Sequence, residues 1–213
     1  MRITVFGATG DVGSRVVAEA LSRGHEVVAV VRDPARAAAV PAAAEVCVGD
    51  AADLNDVVNL SAGQDLVITA TRPPAGQERE LPAVTSVLLK ALAHTGVRVL
   101  AVGGAATLNV PEANGLTLHE TPDFPAELRP IALACAAQLA LYRAETTANW
   151  TYLSPPALLV PGTRTGTYRS GTDDLLTTSD GTSTISMEDF AVALLDEAET
   201  PAHPRARFTV AAA

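Results

Sequence analysis

The opening of the chain constrains the fold more than any other feature. A short apolar run at Arg2–Phe6 leads directly into GATGDVG at positions 7–13, where three glycines stand at intervals of three. Apolar residues with helical spacing then occupy 12–23, Gly24 provides a stop signal, and a second apolar run follows at Glu26–Val31. A strand, a glycine-rich turn, a helix and a second strand within about thirty residues predict a βαβ unit and a parallel sheet.

The same alternation of strand-length and helix-length patterns continues along the chain. Further strands are predicted at Glu45–Val48, Leu66–Ala70, Arg98–Val102, Tyr152–Ser154 and Arg207–Val210. Further helices are predicted at Leu54–Leu60, Leu81–Thr95, Ile131–Thr146 and Glu188–Glu197. We therefore expect one α/β domain over residues 1–213, with a single Rossmann-like, doubly wound parallel sheet and helices on both faces.

Two stretches, 103–130 and 155–186, interrupt this alternation and are rich in Gly, Pro and Thr. Both follow predicted strands, so both should leave the sheet at its carboxyl edge, where ligands bind in folds of this class. They are too short to be separate domains, and we expect them to be loops that cover a substrate.

Composition argues against several classes of function. Apolar residues make up 48% of the chain, which favours a folded core, and the net charge of −9 argues against nucleic-acid binding. Cys47 and Cys135 lie in apolar runs and are expected to be free thiols, and the four scattered histidines indicate no metal site. Because there is no signal-peptide pattern and no apolar run of membrane-spanning length, we expect a soluble cytoplasmic protein without membrane association.

The glycine spacing indicates what the first turn binds. N–H groups at the start of a helix attract anions, and a pyrophosphate approaches them closely only where side chains are absent. We expect Gly7 to make the tight turn, Gly10 to leave room for the phosphates and Gly13 to let the helix pack on the strand. A turn without a ligand is the alternative, but the position between a first strand and a first helix favours a dinucleotide site.

Arg32 stands at the end of the second strand, in RGHEVVAVVRDP at 23–34, where such folds meet the adenosine ribose. An acid there binds a 2′-hydroxyl, whereas the planar fork of an arginine suits a 2′-phosphate and also stacks on adenine. NADP(H) is therefore favoured over NAD(H), although Asp33 leaves NAD(H) open. An exposed arginine without a ligand is the alternative.

Several motifs in chain order carry a family resemblance. They are GATGDVG, VRDP at 31–34, VGD at 48–50, VGGAATL at 102–108, NWTYLSPP at 149–156, PGTRTGTYR at 161–169 and ISMEDFAVALLDEAE at 185–199. Together they resemble the atypical short-chain dehydrogenase/reductases of the NAD(P)H-binding, NmrA-like group, and within it the proposed NADH-flavin reductases related to biliverdin reductase B. The resemblance implies a single Rossmann-like domain, a bound dinucleotide and reduction of a flavin, quinone or similar conjugated acceptor.

The resemblance also implies positions for the cofactor. The pyrophosphate loop corresponds to Gly7, Thr9, Gly10, Asp11, Val12 and Gly13, and the residue that recognises the 2′-phosphate corresponds to Arg32. The residues at the edge of the adenine correspond to Asp50 and Ala51, and those at the central ribose to Ala70, Thr71 and Arg72. The residues near the nicotinamide correspond to Gly103 and Gly104, and the loop that closes over it corresponds to Ser154, Pro155 and Pro156. As alternatives to cofactor contact, Asp50 could form a turn or cap a helix, and the two prolines could make the chain rigid where it leaves the strand.

A catalytic acid is missing from its usual place. Typical members of the superfamily use a tyrosine whose pKa is lowered by a lysine four residues later, but here Tyr142 is followed by Thr146, in YRAET. The serine expected after the fifth strand is also absent from GGAAT at 103–107. Tyr142 lies on a helix stripe and is interpreted as a core residue. Because hydride transfer to a conjugated ring can take its proton from water, this gap favours a flavin or quinone over a carbonyl acceptor.

The two long loops contain the remaining candidates. His119 and Tyr168 are possible proton donors or pocket walls, with an ordinary loop role as the alternative. Arg164 either binds an anionic substrate or pairs with one of the 24 acids, and Ser186 with Asp189 resembles a capping box.

The sequence leaves three functions to compare. The first is an NAD(P)H-dependent reductase with a small-molecule acceptor, a flavin among the candidates, acting as a monomer or homodimer. The alternative is a non-catalytic redox sensor that binds NADP(H). An epimerase is disfavoured because that chemistry needs the tyrosine base and a larger substrate domain.

Overall fold

A computed structural model describes residues 1–111 and 113–213. The strands are β1 Arg2–Phe6, β2 Glu26–Val31, β3 Glu45–Val48, β4 Leu66–Thr69, β5 Arg98–Val102, β6 Trp150–Ser154, β7 Leu158–Val160, β8 Tyr168–Gly171, β9 Thr184–Ser186 and β10 Ala206–Ala212. The α-helices are α1 Asp11–Ser22, α2 Leu54–Ser61, α3 Leu81–Thr95, α4 Arg129–Ala144 and α5 Met187–Glu199. Every strand and helix predicted from the sequence is present, with ends shifted by at most two residues.

The main sheet has eight strands in the order β3-β2-β1-β4-β5-β6-β10-β8. All neighbouring strands are parallel except β8, which runs antiparallel to β10. β1 lies between β2 and β4, so the chain winds outward from β1 in both directions. The predicted Rossmann-like, doubly wound α/β fold is confirmed, and its crevice opens at the carboxyl ends of β1 and β4.

The stretch 155–186 contains three strands that the sequence analysis did not predict. β7 and β9 form a separate parallel pair, and β8 adds an antiparallel edge to the main sheet. These strands have only three or four residues each, and β8 reads YRSG. Such short and partly polar segments give no apolar alternation, so they are recognised only through their partners in the sheet.

Helices cover both faces of the sheet. α1 and α5 pack on one face, and α2, α3 and α4 on the other. β1 shows the alternation: Ile3 and Val5 are buried against the first layer, and Phe6 against the second. Within the described residues, no helix combines the length and the apolar character that a membrane span requires. Cys47 and Cys135 are both free thiols.

Side chains at the helix ends explain where two of the helices begin. Asp53 caps α2 by accepting from the N–H groups of Asn55 and Asp56. Ser186 caps α5 by accepting from the Asp189 N–H at 3.0 Å. The predicted capping box is only half formed, because the Asp189 carboxylate accepts from residues 165 and 166 instead.

A buried ion pair ties the end of α5 to the sheet. The Arg98 guanidinium at the start of β5 donates to Glu197 Oε1 at 2.7 Å, and the two side chains are only 12% and 2% exposed. The other carboxylate oxygen lies 2.8 Å from His203 Nδ1. Burial lowers the pKa of Arg98, and the adjacent Glu197 carboxylate opposes that change.

We expect Glu197→Ala to lower the free energy of unfolding by about 3–5 kcal/mol, because it leaves the Arg98 charge buried without its partner. Chemical denaturation measures the loss. Arg143→Ala is the matched control: it removes an exposed ion pair with Asp173 and should cost less than about 1 kcal/mol. Equal losses in the two variants would contradict the importance of burial here.

Candidate functional site

The residues predicted to bind a cofactor lie along one edge of the sheet. They follow six neighbouring parallel strands, β3-β2-β1-β4-β5-β6, and the carboxyl ends of such strands share one edge. In that order across the edge they are Asp50 and Ala51, Arg32, residues 7–13, residues 70–72, Gly103 and Gly104, and residues 154–156. The fold therefore brings together segments that are distant in the sequence.

The three glycines of the first turn differ in what surrounds them. Gly7 has a φ of +81°, and a Cβ there would lie 2.5 Å from the Ala70 carbonyl oxygen. A Cβ on Gly13 would lie 2.0 Å from the Gly7 carbonyl oxygen. A Cβ on Gly10 would meet only the Gly7 carbonyl oxygen, at 3.3 Å. Packing within the protein therefore requires glycine at positions 7 and 13, whereas a Cβ at position 10 would be only slightly too close to its neighbour.

The start of α1 suits an anionic ligand. Gly10 is the N-cap residue and provides no side-chain cap for the N–H groups of the first turn. These groups lie at the positive end of the helix, directly beside the open position at Gly10. The geometry fits a pyrophosphate, and residues 10–13 would hold it.

Two arginines lie on the β2 side of this loop. Arg32 directly follows β2 and is exposed. Arg36, in a short 3₁₀ helix, donates from Nη2 to the Thr9 carbonyl oxygen at 2.8 Å. The Asp33 carboxylate accepts from the Ala35 N–H and so caps that 3₁₀ helix. The sequence analysis did not single out Arg36, although its position four residues after Arg32 could have indicated a second arginine beside the glycine turn.

The ends of β3 and β4 are held by local hydrogen bonds. Asp50 accepts from the Ala52 N–H at 2.9 Å, which is the turn-forming role given above as the alternative to adenine contact. Ala51 is buried. Thr71 Oγ1 lies 3.2 Å from Thr69 Oγ1, and Arg72 is exposed at the edge.

The end of β5 is shaped by a buried tyrosine. A Cβ on Gly103 would lie 2.0 Å from the Tyr152 ring, and one on Gly104 would lie 2.8 Å from Cys135 Sγ. The Tyr152 hydroxyl accepts from the Gly104 N–H at 3.2 Å and donates to Gln138 Oε1 at 3.1 Å. Both glycines are thus explained by packing within the protein. Burial raises the pKa of the Cys135 thiol to about 11, so this thiol is neutral at pH 7.

The end of β6 is fully enclosed. Ser154 is completely buried, and among the described residues its Oγ has no hydrogen-bond partner. Pro155 and Pro156, which follow it, are also buried. The two prolines therefore fix the backbone as it leaves the strand.

Tyr142 belongs to the core, as its helix position indicated. The side chain is completely buried, and its ring centroid lies 5.5 Å from those of Trp150 and Tyr152. Its hydroxyl has no hydrogen-bond partner within the part of the chain that the structure describes. Burial raises the pKa of Tyr142 above its ordinary value, so the hydroxyl stays protonated at neutral pH and is a weaker acid than a free tyrosine.

His119 lies close to the segment that follows β5. Its Nδ1 is 2.8 Å from the Ala106 carbonyl oxygen and 2.9 Å from Thr117 Oγ1. Because a carbonyl oxygen only accepts, Nδ1 carries the hydrogen and Nε2 is left for other contacts. No group of three or more metal-ligating side chains occurs among residues 1–111 and 113–213.

The structure places Tyr168 and Arg164 away from this edge, and the side chain of each contacts an acid. The Tyr168 hydroxyl donates to Asp196 in the last turn of α5 at 2.8 Å, and burial and that carboxylate raise its pKa. Arg164 makes two 2.8 Å hydrogen bonds with the Glu19 carboxylate, in the second half of α1. Helices that connect parallel strands run opposite to them, so the far ends of α1 and α5 point away from the glycine turn. Tyr168 is therefore not placed as a proton donor, and Arg164 has the ion-pair role.

We expect Gly10→Val to keep the fold and to abolish NADPH binding, because the branched side chain would occupy the place of the pyrophosphate. Gly13→Ala is the matched variant, and it should unfold the chain or destabilise it strongly, since its Cβ would meet backbone atoms. Calorimetric titration with NADPH and thermal unfolding separate the two effects. Unchanged NADPH affinity in Gly10→Val would refute the phosphate assignment.

Comparison with known proteins agrees with this geometry. The family model described as NAD(P)H-binding matches residues 7–201. The uncharacterized protein YwnB of Bacillus subtilis is 39% identical over 219 residues, covering 99% of this chain and 98% of YwnB.

Two solved structures have the same fold over their whole length. SP1627 of Streptococcus pneumoniae, described as a proposed NADH-flavin reductase, is 33% identical with a TM-score of 0.87 and 100% of both chains covered. A proposed epimerase from Bacteroides thetaiotaomicron is 37% identical with a TM-score of 0.91, over 99% of this chain and 96% of the other. The chain belongs to the NAD(P)H-binding family.

Proposed function

We propose that the protein is an NAD(P)H-dependent reductase whose acceptor is a flavin, a quinone or a similar conjugated molecule. The observation that carries the proposal is the position of Tyr142, which is buried in the core without a hydrogen-bond partner among the described residues and has Thr146 in place of the lysine. The tyrosine that would serve a carbonyl acceptor is therefore out of reach of any substrate.

In the proposed reaction the cofactor supplies the hydride, the acceptor receives it, and the solvent supplies the proton. Bound NAD(P)H supplies a hydride, which brings two electrons, and the acceptor needs one proton to complete its reduction. Near the end of β5, the Cys135 thiol has a pKa of about 11 and the Tyr152 hydroxyl already donates to Gln138. A conjugated acceptor spreads the charge that hydride brings and takes its proton from water. The role of the chain is then to hold acceptor and cofactor together.

The relatives support a reductase without deciding the acceptor. SP1627 is described as a proposed NADH-flavin reductase, whereas the Bacteroides protein is described as a proposed epimerase. Epimerase chemistry of this superfamily needs the tyrosine base, which this chain lacks in an accessible position. The described site therefore favours the reductase.

For the cofactor we propose NADP(H) over NAD(H). Arg32 and Arg36 put two guanidinium groups on the β2 side of the glycine turn, and the Asp33 carboxylate is used in capping. Guanidinium groups suit a 2′-phosphate, and an acid free to bind a 2′-hydroxyl is missing from that position.

Arg32→Ala should weaken NADPH binding by about 1.5–3 kcal/mol, as for a lost hydrogen bond to a charged group, and change NADH binding much less. Arg36→Ala should weaken the binding of both NADPH and NADH, because Arg36 also donates a hydrogen bond to the Thr9 carbonyl oxygen in the glycine turn. Calorimetric titration with each cofactor measures the difference. Equal losses for NADPH and NADH in Arg32→Ala would show that Arg32 does not recognise the 2′-phosphate.

The proposed reaction is tested by NADPH oxidation with FMN or a quinone, followed by the loss of NADPH absorbance. Wild type should exceed the blank without protein, and Tyr142→Phe should keep kcat within about threefold, since acid–base catalysis contributes about 100- to 10,000-fold where it operates. Tyr142→Phe should also be at least as stable, because it removes a buried hydroxyl that lacks a partner.

Two results would change the assignment. A hundredfold fall in kcat for Tyr142→Phe, with stability unchanged, would restore a carbonyl-type mechanism. No turnover with flavins and quinones, combined with NADPH binding, would favour the redox sensor, which needs no proton donor.

A further inference from the structure

The segment 161–167, PGTRTGT, lies as a strap on helices α1 and α5, with hydrogen bonds to Glu19 of α1 and to Glu188 and Asp189 of α5. Asp189 accepts from the N–H groups of Thr165 and Gly166, each at 2.8 Å, and from Thr165 Oγ1 at 2.6 Å. Glu188 accepts from the Gly162 N–H at 2.8 Å. The two sequence blocks PGTRTG and ISMEDFA therefore bind each other.

Glu188 continues the connection to the glycine turn. Its second oxygen accepts from Arg15 Nε at 2.8 Å, and Arg15 Nη1 donates to the Asp11 carbonyl oxygen at 2.8 Å. Asp11 is the first residue of α1 and directly follows Gly10. A continuous series of hydrogen bonds thus joins the strap, the start of α5 and the first turn of α1.

The Arg15–Glu188 pair is partly shielded, with side chains 28% and 24% exposed. The guanidinium is planar and makes both contacts at once, which fixes its orientation. Hydrogen bonds from Arg15 and Gly162 lower the pKa of Glu188 although its burial raises it, so the carboxylate is charged at neutral pH. Arg15 also neutralises this negative charge close to the turn that should receive a pyrophosphate.

We infer that Arg15 is a positioning residue for the cofactor site. Held by Glu188, it keeps the first turn of α1 oriented toward the pyrophosphate and links that turn to the strap 161–167. The inference rests on the binding of NAD(P)H, which the family membership supports, and it is independent of the acceptor.

Arg15→Ala should raise the dissociation constants of NADPH and NADH by the same factor, about tenfold or more, because both cofactors share the pyrophosphate. This pattern differs from that expected for Arg32→Ala. Arg15→Lys keeps the charge but lacks the fork, and should recover part of the affinity. Calorimetric titration measures the dissociation constants of wild type, Arg15→Ala and Arg15→Lys, and thermal unfolding shows that each protein is folded. Arg143→Ala is the control, and its affinity for both cofactors should be unchanged.

Glu188→Gln separates positioning from simple charge attraction. If Arg15 acts only through its charge, removal of a nearby acid should tighten NADPH binding. If Arg15 must be held in place, the same change should weaken binding, which is the result we expect. Unchanged affinity in a folded Arg15→Ala variant, or tighter binding in Glu188→Gln, would overturn the inference. A wild-type chain that bound no NADPH would overturn it together with the cofactor site, whereas absence of flavin turnover would refute only the proposed reductase.

Discussion

The close approach of the first turn, the first helix and β4 is the constraint on which the site depends. Missing side chains at Gly7 and Gly13 let the turn lie against the end of β4 and let α1 begin directly above it. A Cβ at either position would stand within 2.5 Å of backbone oxygen, so a substitution would have to move main chain. The same approach exposes the N–H groups at the start of α1. One local geometry therefore sets the packing of the turn and the place at which α1 begins.

Charged side chains occur in two distinct regions of the protein. At the carboxyl edge, the arginines that follow β2 and β4 are exposed. On the outer side of α1 and α5, acids and arginines bind each other: Arg23, for example, contacts Glu19, Asp196 and Glu199 at 2.8 Å. These contacts hold the two helices and the strap together. An acidic protein can therefore present positive groups at one edge, because the local potential depends on which side chains lie there and not on the net charge.

The absence of a usable tyrosine base is a consequence of core packing. Tyr142, Trp150 and Tyr152 form an aromatic cluster between α4 and β6, and the Tyr152 hydroxyl fixes the backbone after β5 through the Gly104 N–H. The aromatic residues of this region thus stabilise the layer beneath the site. Tyr142 is therefore committed to the core and does not reach the carboxyl edge of the sheet.

The sequence alone determined the architecture, because strand-length and helix-length apolar patterns depend only on local periodicity and on which residues must be buried. It also identified the glycine turn, since a bare turn between a first strand and a first helix has few other uses. Helix α3 was predicted with its observed ends, Leu81 and Thr95, because Pro82 and Gly96 mark them locally. The family resemblance implied the positions along the carboxyl edge, and the strand order places them side by side.

Only the tertiary structure decided the partners of long polar side chains. Arg164 and Tyr168 lie in the stretch after β6 that was expected to cover a substrate, yet they bind Glu19 and Asp196 in the later turns of α1 and α5. Arg15 and Glu188 are 173 residues apart and meet only because α1 and α5 share one face of the sheet. Gly103 is explained by the ring of Tyr152, from a strand far along the chain. Such contacts depend on which elements become neighbours, and no local pattern carries that information.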